Sequence, residues 1–208
     1  MPLARVFSLR LYHHNAGLGW AAGLRLYAAV FLTGLAGYMG WVDLPVGLQV
    51  LQSPLMLGAS GLMLFVEFFV DKVPGVDTLW DLLHTLVRIP AGAALAAGVF
   101  GGDHANWALV AALIGGTLAA TSHVAKATTR AAANTSPEPF SNWGLSLAGD
   151  GAVPVMLWLS WAHPLVFFGG LVVALMVMAV LIWVFAKFLR VLARRLTRSP
   201  PANEVVPR

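Results

Sequence analysis

The chain has no cysteine. That excludes disulfides, thiolate metal sites and cysteine nucleophiles. Charge is scarce as well, at 11% of 208 residues, where soluble domains carry about 25%. The net charge of +4 is spread along the chain, so no clustered nucleic-acid footprint is present. Neither a His-Glu-x-x-His motif nor a Gly-x-Ser-x-Gly elbow occurs, which removes two common hydrolytic signatures. What is abundant is apolar: 59% of the sequence, with a mean hydropathy of +0.77. A soluble core of this length could not bury so much apolar side chain, so the chain reads as an integral membrane protein.

Six apolar segments stand out, approximately Gly17–Gly40, Pro54–Val70, Thr78–Phe100, Asn106–Ala133, Ser141–Trp161 and Pro164–Ala186. Each is near the roughly 20 residues needed to cross a hydrocarbon core. The expected fold is all-α, a polytopic transmembrane helix bundle of about six spans. The connections WVDLPVGLQVLQS, GGDHA and Ala162–His163 lack Lys and Arg, while Arg5, Arg10, Lys72, Lys126, Arg130, Lys187, Arg190, Arg194, Arg195 and Arg198 fall on the other side. That positive-inside pattern predicts both termini in the cytoplasm. Residues 1–16 read as an interfacial segment, 17–195 as the membrane domain, and the proline-rich 196–208 as a disordered cytoplasmic tail.

Charge enters the third span. Pro74–Gly75 forms a turn, and Asp77 is a natural N-cap for a helix beginning at Thr78. Asp77, Asp81, His84 and Arg88 then share one helical face. Arg88 lies about 16 Å above Asp77, near the midplane, where an ionisable side chain costs about 2.5–3.5 kcal/mol. Asp150 lies about 14 Å into the fifth span by the same rise, so Arg88 and Asp150 are expected to face each other. Glu67 and Asp71 make the second span acidic, and His123, Lys126, Arg130 and Asn134 make the fourth basic. Asn142, Ser146 and Asp150 line one side of the fifth. The second to fifth spans therefore form the interior, and the first and sixth face lipid. Pro90 and Gly149–Gly151 mark places where the third and fifth helices loosen. Trp20, Trp41, Trp107 and Trp161 read as interfacial anchors, with Trp80 and Trp143 near the cytoplasmic interface. A two-span repeat, built on the turns FVDKVPGVDTLWD and HVAKATTRAAANTSPEPFSNW, fits the pattern.

The segments EFFVDKVPGVDTLWD and HVAKATTRAAANTSPEPFSNWGLSLAGD resemble the bacterial membrane proteins grouped as domain of unknown function 4126. Glu67, Asp71, Lys72, Pro74, Asp77, Trp80, Asp81 and Arg88 carry the first match. His123, Lys126, Arg130, Asn134, Ser136, Pro137, Pro139, Ser141, Asn142, Ser146 and Asp150 carry the second. The resemblance covers the first span through the fifth and implies a multispan protein of a bacterial inner membrane, with no established activity.

Three functions are weighed. A transporter or channel for a small polar or ionic solute would use Arg88, Asp150, Asp81, His84, Glu67, Asp71, His123, Lys126, Arg130 and Asn142 as its pathway. His84 or His123 would be its proton-carrying group. A structural or assembly protein would use the same charges as a buried ion-pair network. An intramembrane enzyme would need Asp77, Asp81 and His84 to ligate a metal, and three donors on one helix rarely close a coordination shell. The expectation is no catalytic residues, no metal and no cofactor. The expected partners are the bilayer, a small solute and, through the small-residue faces GLAG and ALIGG, a second copy of the chain; no nucleic acid is expected.

Overall fold

The computed structural model describes residues 2–100, 105–135 and 140–197, with side chains placed from residue 14 to 195 within those ranges. The interfacial side chains expected in residues 1–13, the loop 101–104, the segment 136–139 and the tail from 198 lie outside the described residues. Every described element is helical: α1 (Pro2–Tyr38), a 3-10 segment (Val46–Gln52), α2 (Pro54–Val70), α3 (Val76–Gly98), α4 (Ala105–Ala133), α5 (Phe140–Ala162) and α6 (Pro164–Thr197).

Local chemistry sets the boundaries. Ser53 caps α2, its hydroxyl accepting from the Met56 N–H at 3.3 Å. Pro54 follows it in the first turn, where a missing N–H leaves nothing unpaired. Gly75 takes the left-handed conformation (φ 87°) that turns the chain from α2 into α3. The structure starts α3 at Val76 rather than Thr78, so Asp77 stands in the first turn instead of at the N-cap. Its Oδ1 still accepts from the backbone N–H groups of Gly75 (2.9 Å) and Thr78 (2.6 Å).

The first helix departs most from expectation. Its backbone leaves the helical region at Arg25 (φ −144°, ψ 82°), and the two arms run in opposite senses. Gly17 lies against Ser160 and Phe167, at the α5–α6 turn. Gly19 meets Gly115, and Arg25 reaches Ser146 and the end of α2 at Asp71. The second arm then runs back along α2, with Phe31 against Gly61 and Gly34 against Leu51 and Leu57. The run Gly17–Gly40 is thus two half-length arms meeting at Arg25, not one straight span. Length and composition cannot reveal this, because His14–Tyr38 taken whole is as long and as apolar as a true span.

By those two criteria four helices are able to cross a membrane: His14–Tyr38, Ala105–Ala133, Phe140–Ala162 and Pro164–Arg195. The 3-10 segment and α2, bent by 69°, meet the same criteria as a pair and would make a fifth if they form one broken span. Contrary to the expected lipid-facing position, α1 is the centre of the bundle. Leu18, Trp20, Ala21, Ala22 and Ala29 are buried, and Trp20 is a core residue rather than an interfacial anchor. The sixth helix does present an apolar outer surface, with Leu165, Val166 and Trp183 exposed. The faces GLAG and ALIGG are covered within the chain, through Gly34, Gly37 and Gly115.

The path of α1 leads to a topological prediction. Its start and the end of α6 should lie on opposite faces of the membrane. Because the chain has no cysteine, single reporters at Ser8→Cys and Val191→Cys give a clean test. An impermeant maleimide should label one of them from outside sealed vesicles and the other only after permeabilisation. Labelling of both from the same side would refute the reversal at Arg25.

Candidate functional site

The α2–α3 turn lies at the same end of the bundle as the end of α4 and the start of α5, and the charged side chains collect above it. Arg25 sits at the apex of α1. It pairs with Asp71, pairs with Asp150 at 2.8 Å, and donates to the Ser146 carbonyl (3.0 Å) and hydroxyl (2.9 Å). The break is stitched to α4 as well, where the Ser122 hydroxyl donates to the Trp20 carbonyl at 2.9 Å. Backbone groups loosened from a helix are commonly satisfied by neighbouring side chains in this way.

Asp71, just past the end of α2, is the hub. Besides Arg25 it holds Lys126 (3.0 Å) and Arg130 (2.8 Å). Burial alone would raise its carboxyl, but Lys126, Arg130 and Arg25 outweigh that and hold it down at about 2. The three cations around it favour the charged carboxylate, which fits a pairing role for Asp71.

Arg88 pairs with Glu67 (2.5 Å) and Asp81 (2.8 Å), not with Asp150. The expected Arg88–Asp150 pair is incorrect. The two residues do lie on elements that start at the same end, but helical rise gives depth only, and their helices present these groups to different neighbours. Asp150 goes instead to Arg25 and Lys72 (3.4 Å). Lys126 bridges the two halves through Asp71 and Asp81 (3.1 Å), with Glu67 at 3.8 Å. At the turn end Asn142 donates to Asp77 (3.1 Å) and Asn134 (2.8 Å), and Asn134 donates to Asp77 (3.0 Å).

The histidines differ in kind. Arg88 donates to His123 Nδ1 at 3.3 Å, and a guanidinium only donates. Nδ1 is then an acceptor, and Nε2 carries the hydrogen toward the Thr85 hydroxyl at 2.8 Å. A second proton on Nδ1 would set two donors face to face, which argues against His123 as the proton carrier. His84 stacks on Trp80 (centroids 4.0 Å apart), and its Nδ1 donates to the Trp80 carbonyl (2.9 Å). Its Nε2 meets the Tyr27 hydroxyl at 3.0 Å. His84 is not placed to share a metal with Asp77 and Asp81. Among the described residues no group of three or more His, Asp or Glu side chains could hold a metal ion.

Five cations (Arg25, Lys72, Arg88, Lys126, Arg130) thus join five acids (Glu67, Asp71, Asp77, Asp81, Asp150) in one layer. Eight of these side chains are at most 7% exposed, and only Lys72 and Asp150, at 22% and 20%, reach outward. Of the residues expected to form a pathway, Glu67, Asp71, Asp81, Arg88, Lys126, Arg130 and Asp150 meet in this layer. His123 and Asn142 bond to its edge, and His84 bonds to Tyr27 and Trp80 instead. Arg25, Lys72 and Asp77 join the layer although that expectation did not include them. The available signal for Arg25 was the presence of an arginine inside an apolar run. Beside the layer a cavity of about 280 Å³ opens between α1, α4, α5 and α6. On the far side of the layer, α1, α3 and α4 touch through glycine: a Cβ on Gly19 would lie 2.6 Å from the Gly115 backbone, and one on Gly92 2.5 Å from Ala119.

Comparison with curated proteins and with solved structures returns no match. The match with a family is extensive: a family model described as a domain of unknown function (DUF4126) covers residues 14–187, and the chain belongs to that family.

Proposed function

We propose that the protein transports a small ionic solute across the bilayer through the chamber around Arg25. The break in α1 carries this reading. Irregular backbone at membrane depth is tolerated only where protein buries it or where it lines a cavity. Interrupted helices build the substrate sites of many secondary transporters, and in this chain the interruption lies toward the turn end of the bundle. Here the interruption coincides with the residue that joins two acids from other elements and that also lines the cavity. Ionisable groups inside a membrane are functional by default. A solute entering from the turn end would meet the glycine seal, so crossing would require the arms of α1 to move against α4. The basic residues Lys187, Arg190, Arg194 and Arg195 support a cytoplasmic turn end, in a bacterial inner membrane, and the reversal at Arg25 then puts the start of α1, with Arg5 and Arg10, on the other face.

One observation favours a second reading. Five cations matched by five acids describe a neutral layer that would also serve as a fixed scaffold setting helix register. Flux decides between them. Protein in proteoliposomes should pass at least one of protons, sodium, potassium, chloride, phosphate or short carboxylates saturably. Asp150→Asn leaves the fully buried pairs in place and should cut that flux by about tenfold or more, equivalent to about 1.4 kcal/mol in the barrier. Folded protein without flux, or flux indifferent to Asp150, would remove the transport reading and leave the scaffold.

A further inference from the structure

The cavity between α1, α4, α5 and α6 has an uneven lining. All of its charged residues are basic: Arg25, Lys126 and Arg130. The acids that balance them, Asp71 above all, contact the same cations from outside the lining. Trp20 lines the cavity too, and its indole Nε1 is buried with no acceptor among the described residues. Arg130 Nη1 and Arg25 Nη1 are held by ion pairs but lack a well-directed hydrogen bond among those residues. The opposite walls are apolar, formed by Gly149 and Ala152 of α5 and by Ala174, Val177, Met178 and Leu181 of α6. Its volume, about 280 Å³, is at the small end of ligand pockets, which run roughly 300–1,000 Å³.

A small hydrated ion gains nothing from apolar walls, and a neutral apolar molecule gains nothing from the Trp20 N–H and the three paired basic side chains at one end. One ligand class uses both. We infer that this cavity binds a single-chain anionic amphiphile. Its carboxylate or phosphate head would lie against Arg25, Lys126, Arg130 and the Trp20 N–H, and its alkyl chain would lie along α5 and α6. The inference goes beyond the transport reading and does not rest on it: it assigns this cavity a ligand other than the small ion of that reading, and binding is measured without flux.

The probes are decanoate, decyl phosphate, decanol and inorganic phosphate, each titrated into the purified full chain in a nonionic glycoside detergent. Decanoate, decyl phosphate or both should bind saturably, one per chain. Decanol should bind about tenfold more weakly or worse, since a charge-assisted hydrogen bond is worth at least that factor. A preference for the carboxylate points to free fatty acids, and a preference for the phosphate points to lipid headgroups. A methyl on Gly149 would sit 3.6 Å from Arg25 Nε, an ordinary contact, so a Cβ fits there without a clash. Gly149→Leu should abolish binding with its unfolding temperature unchanged. Ala152→Leu provides a second block should the first disturb folding.

Decanol binding as tightly as decanoate would overturn the inference, as would binding unaffected by both leucine variants. So would inorganic phosphate displacing decyl phosphate at equal concentration, which would leave a small-anion site and the transport reading intact. Amphiphile binding without any flux would sink the transport reading and keep the site.

Discussion

Asp71→Asn should be the most damaging single substitution at the charged layer, costing about 3–5 kcal/mol of stability. The side chain is fully buried and answers three cations, Arg25, Lys126 and Arg130. Replacing it with an isosteric amide leaves those cations short of charge where water cannot compensate. Thermal unfolding in detergent measures the loss. Asp150→Asn provides the comparison: its partners are Arg25 and Lys72, it is 20% exposed, and its cost should be clearly smaller. Acid has a related effect. The Asp71 carboxyl is held at about 2 in the folded protein, below the value near 3.9 of an unfolded aspartate. Its contribution is therefore complete above about pH 4 and is lost as the pH falls through about 2. The Asp71→Asn variant should lack this share of the acid sensitivity. Equal stability of the two asparagine variants would mean that Asp71 is not the hub.

Gly23→Leu should be nearly as severe, by a different mechanism. A Cβ at Gly23 would overlap the Ser122 hydroxyl and the Ala119 carbonyl of α4. A backbone oxygen cannot swing aside as a flexible side chain can. The first arm of α1 would have to move away from α4, and Ser122 would lose its bond to the Trp20 carbonyl. Overpacking of this kind costs about 1–3 kcal/mol or more, and the full leucine should stand at the top of that range. Gly58 in α2 gives the contrast. Nothing lies within 4 Å of a Cβ built there, and alanine in a helix interior is favoured over glycine by about 0.5–1 kcal/mol. Gly58→Ala should thus be neutral or stabilising. A common sign for the two glycine variants would show that close helix approach is not what Gly23 supplies.

Much of this architecture is legible in the sequence, because the bilayer imposes a length and the turns carry distinctive residues. Pro54–Val70 coincides with α2, and the bounds of α3 to α5 fall within two residues of those expected. The polar faces on these helices follow from helical spacing alone. Which face meets which does not. Spacing fixes how deep Arg88 and Asp150 lie, but the bearing of each side chain around its axis depends on every other helix. Arg88 accordingly finds Glu67 on α2, a residue the sequence also offered as an acid of the second span. The central place of α1 had a signal as well. AGLGWAAGLRLYAA is rich in alanine and glycine, the composition that lets backbones approach closely in membranes, and Trp20 and Arg25 interrupt it. The reversal at Arg25 had none, since neither proline nor a glycine pair marks it.

That reversal bears on how the protein is made. Arg25 leaves the ribosome early, while the Ser146 carbonyl that receives it follows 121 residues later. At roughly 5–20 residues per second this is a wait of about 6–24 s. During that interval the guanidinium can meet Asp71 at the end of α2 but lacks Ser146, Asp150 and the company of α5. Nascent chains would have to hold the amino-terminal arms at the insertion machinery or at the lipid surface until the later helices arrive. Biogenesis of this bundle would then end, rather than begin, with the seating of its first helix.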